Sequence, residues 1–394
     1  MTQPQTAPAA QGIVVGAGPA GRALAQQLAR LDVAVLAIDA HAERPWRTTW
    51  GLWDDEVERL TLHGAVAATA SAPRVRLLPG EELALERPYH VLDPERLRVH
   101  LSEGLQVRAG QVRAVTPATV ELEDGERLAA RFVVDARGPS RTSCAQTAVG
   151  RVVRARGVPA LLMDFSLQHH DEDPRPSFGY VVPLDDEHLL VEETALAAAP
   201  PMLEGVLERR LGARLRELGL EGAAVADAPL ERVRIPLDVA PGLTPGGALR
   251  FGVAGGSVHP ATGYALARTL EDAPVLARAL AQALERGDEP ERVARAAQRA
   301  LWTPGRLAAR RLFEHGRDVL LPLDLHGLRG FFRAFFHLPP ARQRDFLSSS
   351  SAPCEVALAM ASLWGGLSWP LRAGALGLGS GRAARGVTDP RSAL

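Results

Sequence analysis

The chain has 394 residues, 46% of them hydrophobic and 23% charged, with a net charge of −1. That length allows two domains, and the balanced charge leaves no electrostatic footprint for nucleic acid. Two cysteines, Cys144 and Cys354, form neither a metal-ligand set nor a disulfide framework, which points to a reducing cytoplasm; no apolar run reaches the ~20 residues of a membrane span.

Residues 1–10 are Gln-, Pro- and Ala-rich and read as disordered, without the pattern of a signal peptide. The apolar run Ile13–Val15 then ends in Gly16-Ala17-Gly18-Pro19-Ala20-Gly21. A helical pattern follows, and a second apolar run stops at Asp39. This order of strand, G-x-G-x-x-G, helix, strand and acid is the fingerprint of a dinucleotide site. Gly16 permits the tight turn, Gly18 the approach of a pyrophosphate, and Gly21 close helix packing. Pro19 and Ala20 open a helix whose free N–H groups suit phosphate. Asp39 is placed to accept from ribose hydroxyls. An ordinary βαβ unit with turn glycines is the alternative.

Three of the six tryptophans, Trp46, Trp50 and Trp53, lie in a loop that either packs on the core or walls a pocket. Asp54–Leu60 begins a helix. Short strands are predicted at 74–79 and 83–86. A helix starts at Pro94 behind Asp93, and Asp124-Gly125 marks a hairpin. Arg131–Ala136 reads as a buried strand. The middle, about 150–235, reads as antiparallel sheet, followed within it by an amphipathic helix at 201–218 through Leu203, Val206, Leu207, Leu211 and Leu215. Residues 249–254 lead into a Gly-rich turn and another helix. The last third is helical, with Phe331–Phe336 and an apolar run at 356–367.

Five motifs in order carry a resemblance: GAGPAG at 16–21, PWRTTWGLWDDE at 45–56, VVDARG at 133–138, LVEETAL at 190–196 and GGSVHPATGYALARTL at 255–270. The chain resembles the FAD-dependent lycopene cyclases over nearly its whole length. The resemblance implies an α/β fold shared with aromatic hydroxylases and prenyl reductases: a Rossmann-like FAD-binding domain (11–72, 89–145, 245–290), an inserted antiparallel β-sheet substrate domain (73–88, 146–244), a helical C-terminal region (291–377) and a flexible tail (378–394). It implies that Glu192, or Glu193 beside it, is the acid of the reaction. A strand points neighbours to opposite faces, so only one of the pair meets the substrate. It implies that His259 is a required residue of a flavin-contacting turn that includes Gly255, Gly256, Pro260 and Gly263. The hydroxylases carry Gly-Asp where this chain has Gly255-Gly256. Arg96 and Asp135 are further candidates for FAD contact.

The implied activity is redox-neutral cyclisation of lycopene or γ-carotene to a β-ionone ring. The implied cofactor is reduced FAD, with NADPH or NADH as reductant. The expected setting is cytoplasmic, on the inner face of the membrane, with Phe331–Phe336 and 356–367 as the membrane-associated surface. Ring preference, the number of ends closed and the oligomeric state stay open. A redox flavoenzyme acting on a lipid and a non-catalytic prenyl-binding protein are the rival readings.

Overall fold

A computed structural model of the chain describes residues 10–138, 142–369, 371 and 372. Residues 1–9 and the tail 378–394, read from sequence as disordered or flexible, lie outside the described residues.

Five parallel strands lie in the order Leu249–Arg250, Phe132–Asp135, Gly12–Val15, Val35–Asp39, Val107–Ala109. Parallel strands covered on both faces need apolar residues throughout, and Gly12–Val15 and Phe132–Asp135 are buried at every position. One face packs the helices Pro19–Ala29, Leu266–Glu285 and Pro290–Leu301 through Leu24, Leu28, Leu276 and Val293. The other packs a small antiparallel sheet, Val112–Val115, Thr119–Leu122 and Arg127–Ala129, through Ile13, Val15 and Val120.

A second sheet has seven strands, in the order Glu231–Pro236, Ala145–Arg154, His188–Ala198, Phe178–Pro183, Leu161–Asp164, Arg74–Leu78, Glu81–Ala84. It is antiparallel except where Leu161–Asp164 runs parallel to Arg74–Leu78. The helix Glu204–Glu217 covers one face through Val206, Leu207, Leu211 and Leu215. Each such side chain stabilises the contact by about 1.5–3 kcal/mol when fully buried. The other face turns toward the parallel sheet and the helices Pro304–Leu320, Leu325–Phe336, Pro340–Leu347 and Pro353–Gly366.

Two expectations change here. The tryptophan segment is partly a strand, Trp50–Trp53, paired with Tyr89–Leu92 in a small sheet that Val66–Ala70 completes. Phe331, Phe332 and Phe335, expected on the surface, are buried. Phe332 stacks on Phe165 at 5.5 Å, and Phe335 meets Phe346 at 5.8 Å. The aromatic stripe of the helix finds partners in the core, and that burial outcompetes exposure. Among the described residues no helix is long and apolar enough to cross a membrane.

Candidate active site

A cavity of about 510 Å³ lies between the two large sheets. It begins at Gly18, Pro19 and Ala20, passes Gln146 and Glu192, and ends against Phe331, Phe332 and Phe335. One continuous space thus joins the glycine-rich turn to the phenylalanine helix.

The three turn glycines differ in their surroundings. Gly16 has a φ of 99°, and a side chain on Gly21 would lie 1.8 Å from the Gly16 carbonyl oxygen. Gly18 is different: among the described residues nothing lies within 4 Å of where its Cβ would be. Its space belongs to the cavity, so the chain's own packing does not explain the glycine. No side chain caps the helix that starts at Pro19, which leaves its first N–H groups for an anion. Asp39 accepts from the Ala17 N–H at 2.6 Å and from the His41 N–H at 2.7 Å. It braces the turn, with lone pairs to spare for a ribose. Further along, Gln146 Oε1, Thr194 Oγ1 and Trp53 Nε1 are buried in residues that line the cavity, without a partner among the described residues. Buried polar atoms are seldom orphaned, so these await a polar ligand. A dinucleotide with a polar ring system fits this combination.

The strand His188–Ala198 separates the two glutamates. Leu190, Glu192, Thr194 and Leu196 line the cavity, whereas Glu193 faces the helix Glu204–Glu217. Glu192 is pushed up to about 8, by burial first and then by the Glu231 carboxyl. Gly150 stands opposite both Glu192 and Glu231 on the strand between them. A side chain at Gly150 would lie 2.8 Å from Glu192 Cγ, so this glycine makes the room that the acid occupies. Glu192 is therefore protonated at neutral pH in an apolar space.

Glu193, one of the candidate acids, is a structural carboxylate. Arg214 Nε donates to its Oε2 at 3.1 Å, Ser177 Oγ donates to its Oε1 at 2.6 Å, and His169 Nε2 lies 2.9 Å from the same oxygen. Burial pushes Glu193 up, but His169, Arg214 and Ser177 together outweigh it and hold the carboxyl below its ordinary value. It does not line the cavity.

Other expected residues also lie behind the cavity wall. His259 is fully buried. Its Nε2 donates to the Phe346 carbonyl at 2.9 Å, and its Nδ1 accepts from the Ala261 N–H at 3.2 Å. Burial pushes it down to about 3, so it is neutral with both nitrogens in use. It ties the Gly-rich turn to the helix Pro340–Leu347 and does not line the cavity. Gly255, Gly256 and Pro260 are buried beside it without lining the cavity; Gly263 does line it, next to Gln146 Oε1. Asp135 is bound by the guanidinium of Arg137 at 2.8 and 2.9 Å and shapes the strand end. Arg96 is on the surface, where it donates to the Val66 carbonyl at 3.3 Å. Neither lines the cavity.

A family model described as lycopene cyclase protein matches residues 12–364. A lycopene beta cyclase of Arabidopsis thaliana is 32% identical, over 85% of this chain and 74% of its own length. A capsanthin/capsorubin synthase of Citrus sinensis is 30% identical, over 90% of this chain and 76% of its own. The chain belongs to the lycopene cyclase family. Solved structures show the same fold at low identity. A geranylgeranyl bacteriochlorophyll reductase-like protein of Thermoplasma acidophilum superposes with a TM-score of 0.68 at 16% identity, covering 89% of this chain and 95% of that one. A probable FAD-dependent monooxygenase of Pseudomonas aeruginosa gives 0.56 at 18%, covering 79% and 96%. The fold is thus one that a protein described as a probable FAD-dependent monooxygenase also adopts.

In this lycopene cyclase family member, sequence reading missed several cavity residues. All three tyrosines of the chain, Tyr89, Tyr180 and Tyr264, line it. Burial pushes each phenol well above its ordinary value, so all three stay neutral. Tyr180 stands directly across from Glu192 in the neighbouring strand. Glu56, which lines the cavity, and Glu231, which adjoins Glu192 without lining it, were missed as well. Glu56 lay inside a quoted motif, but nothing in the string distinguished it from Asp54 and Asp55. Glu231 meets Glu192 only through strand pairing across Gly150.

Proposed function

We propose that this enzyme closes β-rings on the ends of lycopene or γ-carotene without net redox change. The observation that carries the reading is Glu192, a carboxyl held protonated in an apolar cavity that also reaches the dinucleotide turn. The Glu192 carboxyl delivers its proton to C2 of the terminal double bond. The C5=C6 electrons then attack the tertiary cation at C1. Loss of the C6 proton leaves the β-ring. The walls exclude water, which would trap the cation as an alcohol. Aromatic faces such as Trp50 and Phe178 offer the cation π-electron density. FAD in its reduced form supplies preorganised negative charge near the cation. NADPH or NADH serves as the reductant.

The test is a strain that makes lycopene, with pigment analysis, and then purified protein with reduced FAD. The expected product has the mass of the substrate, and in heavy water it carries one deuterium per new ring. A product heavier by two hydrogens or by one oxygen in light water points instead to a redox flavoenzyme and removes the cyclase reading.

A C40 polyene is insoluble, so we place the enzyme on the inner face of the cytoplasmic membrane. Leu358 (51% exposed) and Trp369 (71% exposed) then form the contact in place of the buried phenylalanines. Liposome flotation tests this: co-flotation is expected, and replacing both residues by Ser weakens it. No co-flotation of the wild type contradicts it.

A further inference from the structure

Ring closure needs a base as well as an acid. On the cyclase reading, we propose that the Glu56 carboxylate is that base and accepts the proton that leaves C6. Glu56 sits in the first turn of the helix Asp54–Leu60 and lines the same cavity as Glu192. It is 8% exposed. Its Oε2 accepts from the Trp53 N–H at 3.1 Å, and among the described residues nothing else hydrogen-bonds the carboxyl. Oε1 is left for the cavity. The remaining cavity carboxyl, Glu271, is already held by Arg59 at 2.6 Å and by Ser350. Glu56 is thus the unengaged partner to Glu192 among the described residues.

Both carboxyls share the cavity lining with Tyr89 and Tyr180. Tyr180 lies across from Glu192, and its O–H donates to Tyr89 Oη at 3.3 Å. Tyr89 packs edge-on to Trp53 at 5.0 Å, and the Trp53 backbone holds Glu56. The Tyr89 phenol is within electrostatic reach of both carboxyls.

Their surroundings divide the two tasks. Burial raises both. Glu231 raises Glu192 further. Glu56 is drawn back by the Trp53 N–H and by Arg87, whose guanidinium lies over the Trp53 ring at 4.5 Å. The other titratable groups facing Glu56 are Asp55, Arg59, Tyr89 and Tyr264. The backbone N–H and the guanidinium beside Glu56 favour its charged form, and Glu192 has neither, so their surroundings suit a base and an acid.

The step balances. Glu192 loses its proton as the C2–H bond forms. The C5=C6 pair makes the C1–C6 bond and leaves the cation at C5. The C6–H bond breaks, its electron pair becomes the new C5=C6 bond, and the proton goes to Glu56. Both carboxyls reset by exchange with solvent between turnovers. The same cation loses a proton from C4, or from the methyl on C5, if the base stands elsewhere. The position of Glu56 therefore selects the ring type.

The test is Glu56→Gln, whose amide oxygen still accepts from the Trp53 N–H and keeps the helix start. We expect bound FAD to remain and the rate to fall at least about 100-fold, the usual scale for a lost general base. The residual product should contain rings formed by proton loss from C4 or the methyl. Wild-type rate, or unchanged ring composition at any rate, overturns the proposal. If Glu56→Gln does not fold, Arg87→Gln replaces it. Loss of that guanidinium should move the acid limb of the pH–rate profile to higher pH, and an unmoved limb overturns the proposal. Wild-type protein that makes no rings in the same assay defeats the cyclase reading itself.

Discussion

Replacing Glu192 by Gln should remove one large pH-dependent contribution to the stability of this enzyme. The folded protein holds the Glu192 proton to about 8, against an ordinary value of 4.5. Folding therefore binds this proton more tightly than the unfolded chain does. The stabilisation from Glu192 is complete below about pH 4.5 and is lost as pH rises toward 8. The loss accumulates at about 1.4 kcal/mol per pH unit, of the order of 5 kcal/mol across the range. That is a large share of the roughly 5–15 kcal/mol typical of a folded protein. A Gln side chain has a similar shape and no titration, so the variant should lack this slope. Urea denaturation of both proteins from about pH 5 to about pH 9 measures it. The wild type should weaken relative to Glu192→Gln as pH rises, while the variant shows no cyclisation at any pH. A stability difference that stays flat would mean that Glu192 ionises near its ordinary value. The acid role would then have no physical basis.

Gly18→Val should give a folded protein without flavin, because the side chain would fill the open space against the pyrophosphate; visible absorbance after purification reads it, and full flavin content would refute the cofactor assignment. Glu193→Gln should destabilise the fold by about 3–5 kcal/mol, the usual cost of breaking a buried ion pair. The surviving folded fraction should keep its turnover, and a dead but normally stable variant would reverse the two glutamates. Glu231→Gln removes the charge that faces Glu192. The alkaline limb of the rate profile should move to lower pH, by up to about one unit; a limb that stays in place would show that burial alone raises Glu192.

The local pattern of the chain determined the glycine-rich turn. Gly16, Gly18, Gly21 and Asp39 act within one strand–turn–helix–strand unit, so their spacing along the chain is also their spacing in space. The alternation around residues 190–196 determined that Glu192 and Glu193 part company, since successive residues of a strand face opposite ways. It could not say which of them met the cavity. That was decided when Arg214 and His169, from distant segments, claimed Glu193 and buried it as an ion pair. His259 was conspicuous in sequence, yet its role depended on a carbonyl 87 residues away. The phenylalanines of the last third were equally apolar for a membrane or for a core, and only the docking of that helix on Phe165 and Phe346 turned them inward. Glu56, Glu231 and the three tyrosines had no shared signal, because nothing local links them. Their chemistry arises from burial and mutual distance, which are properties of the assembled sheets and are absent from any short stretch of chain.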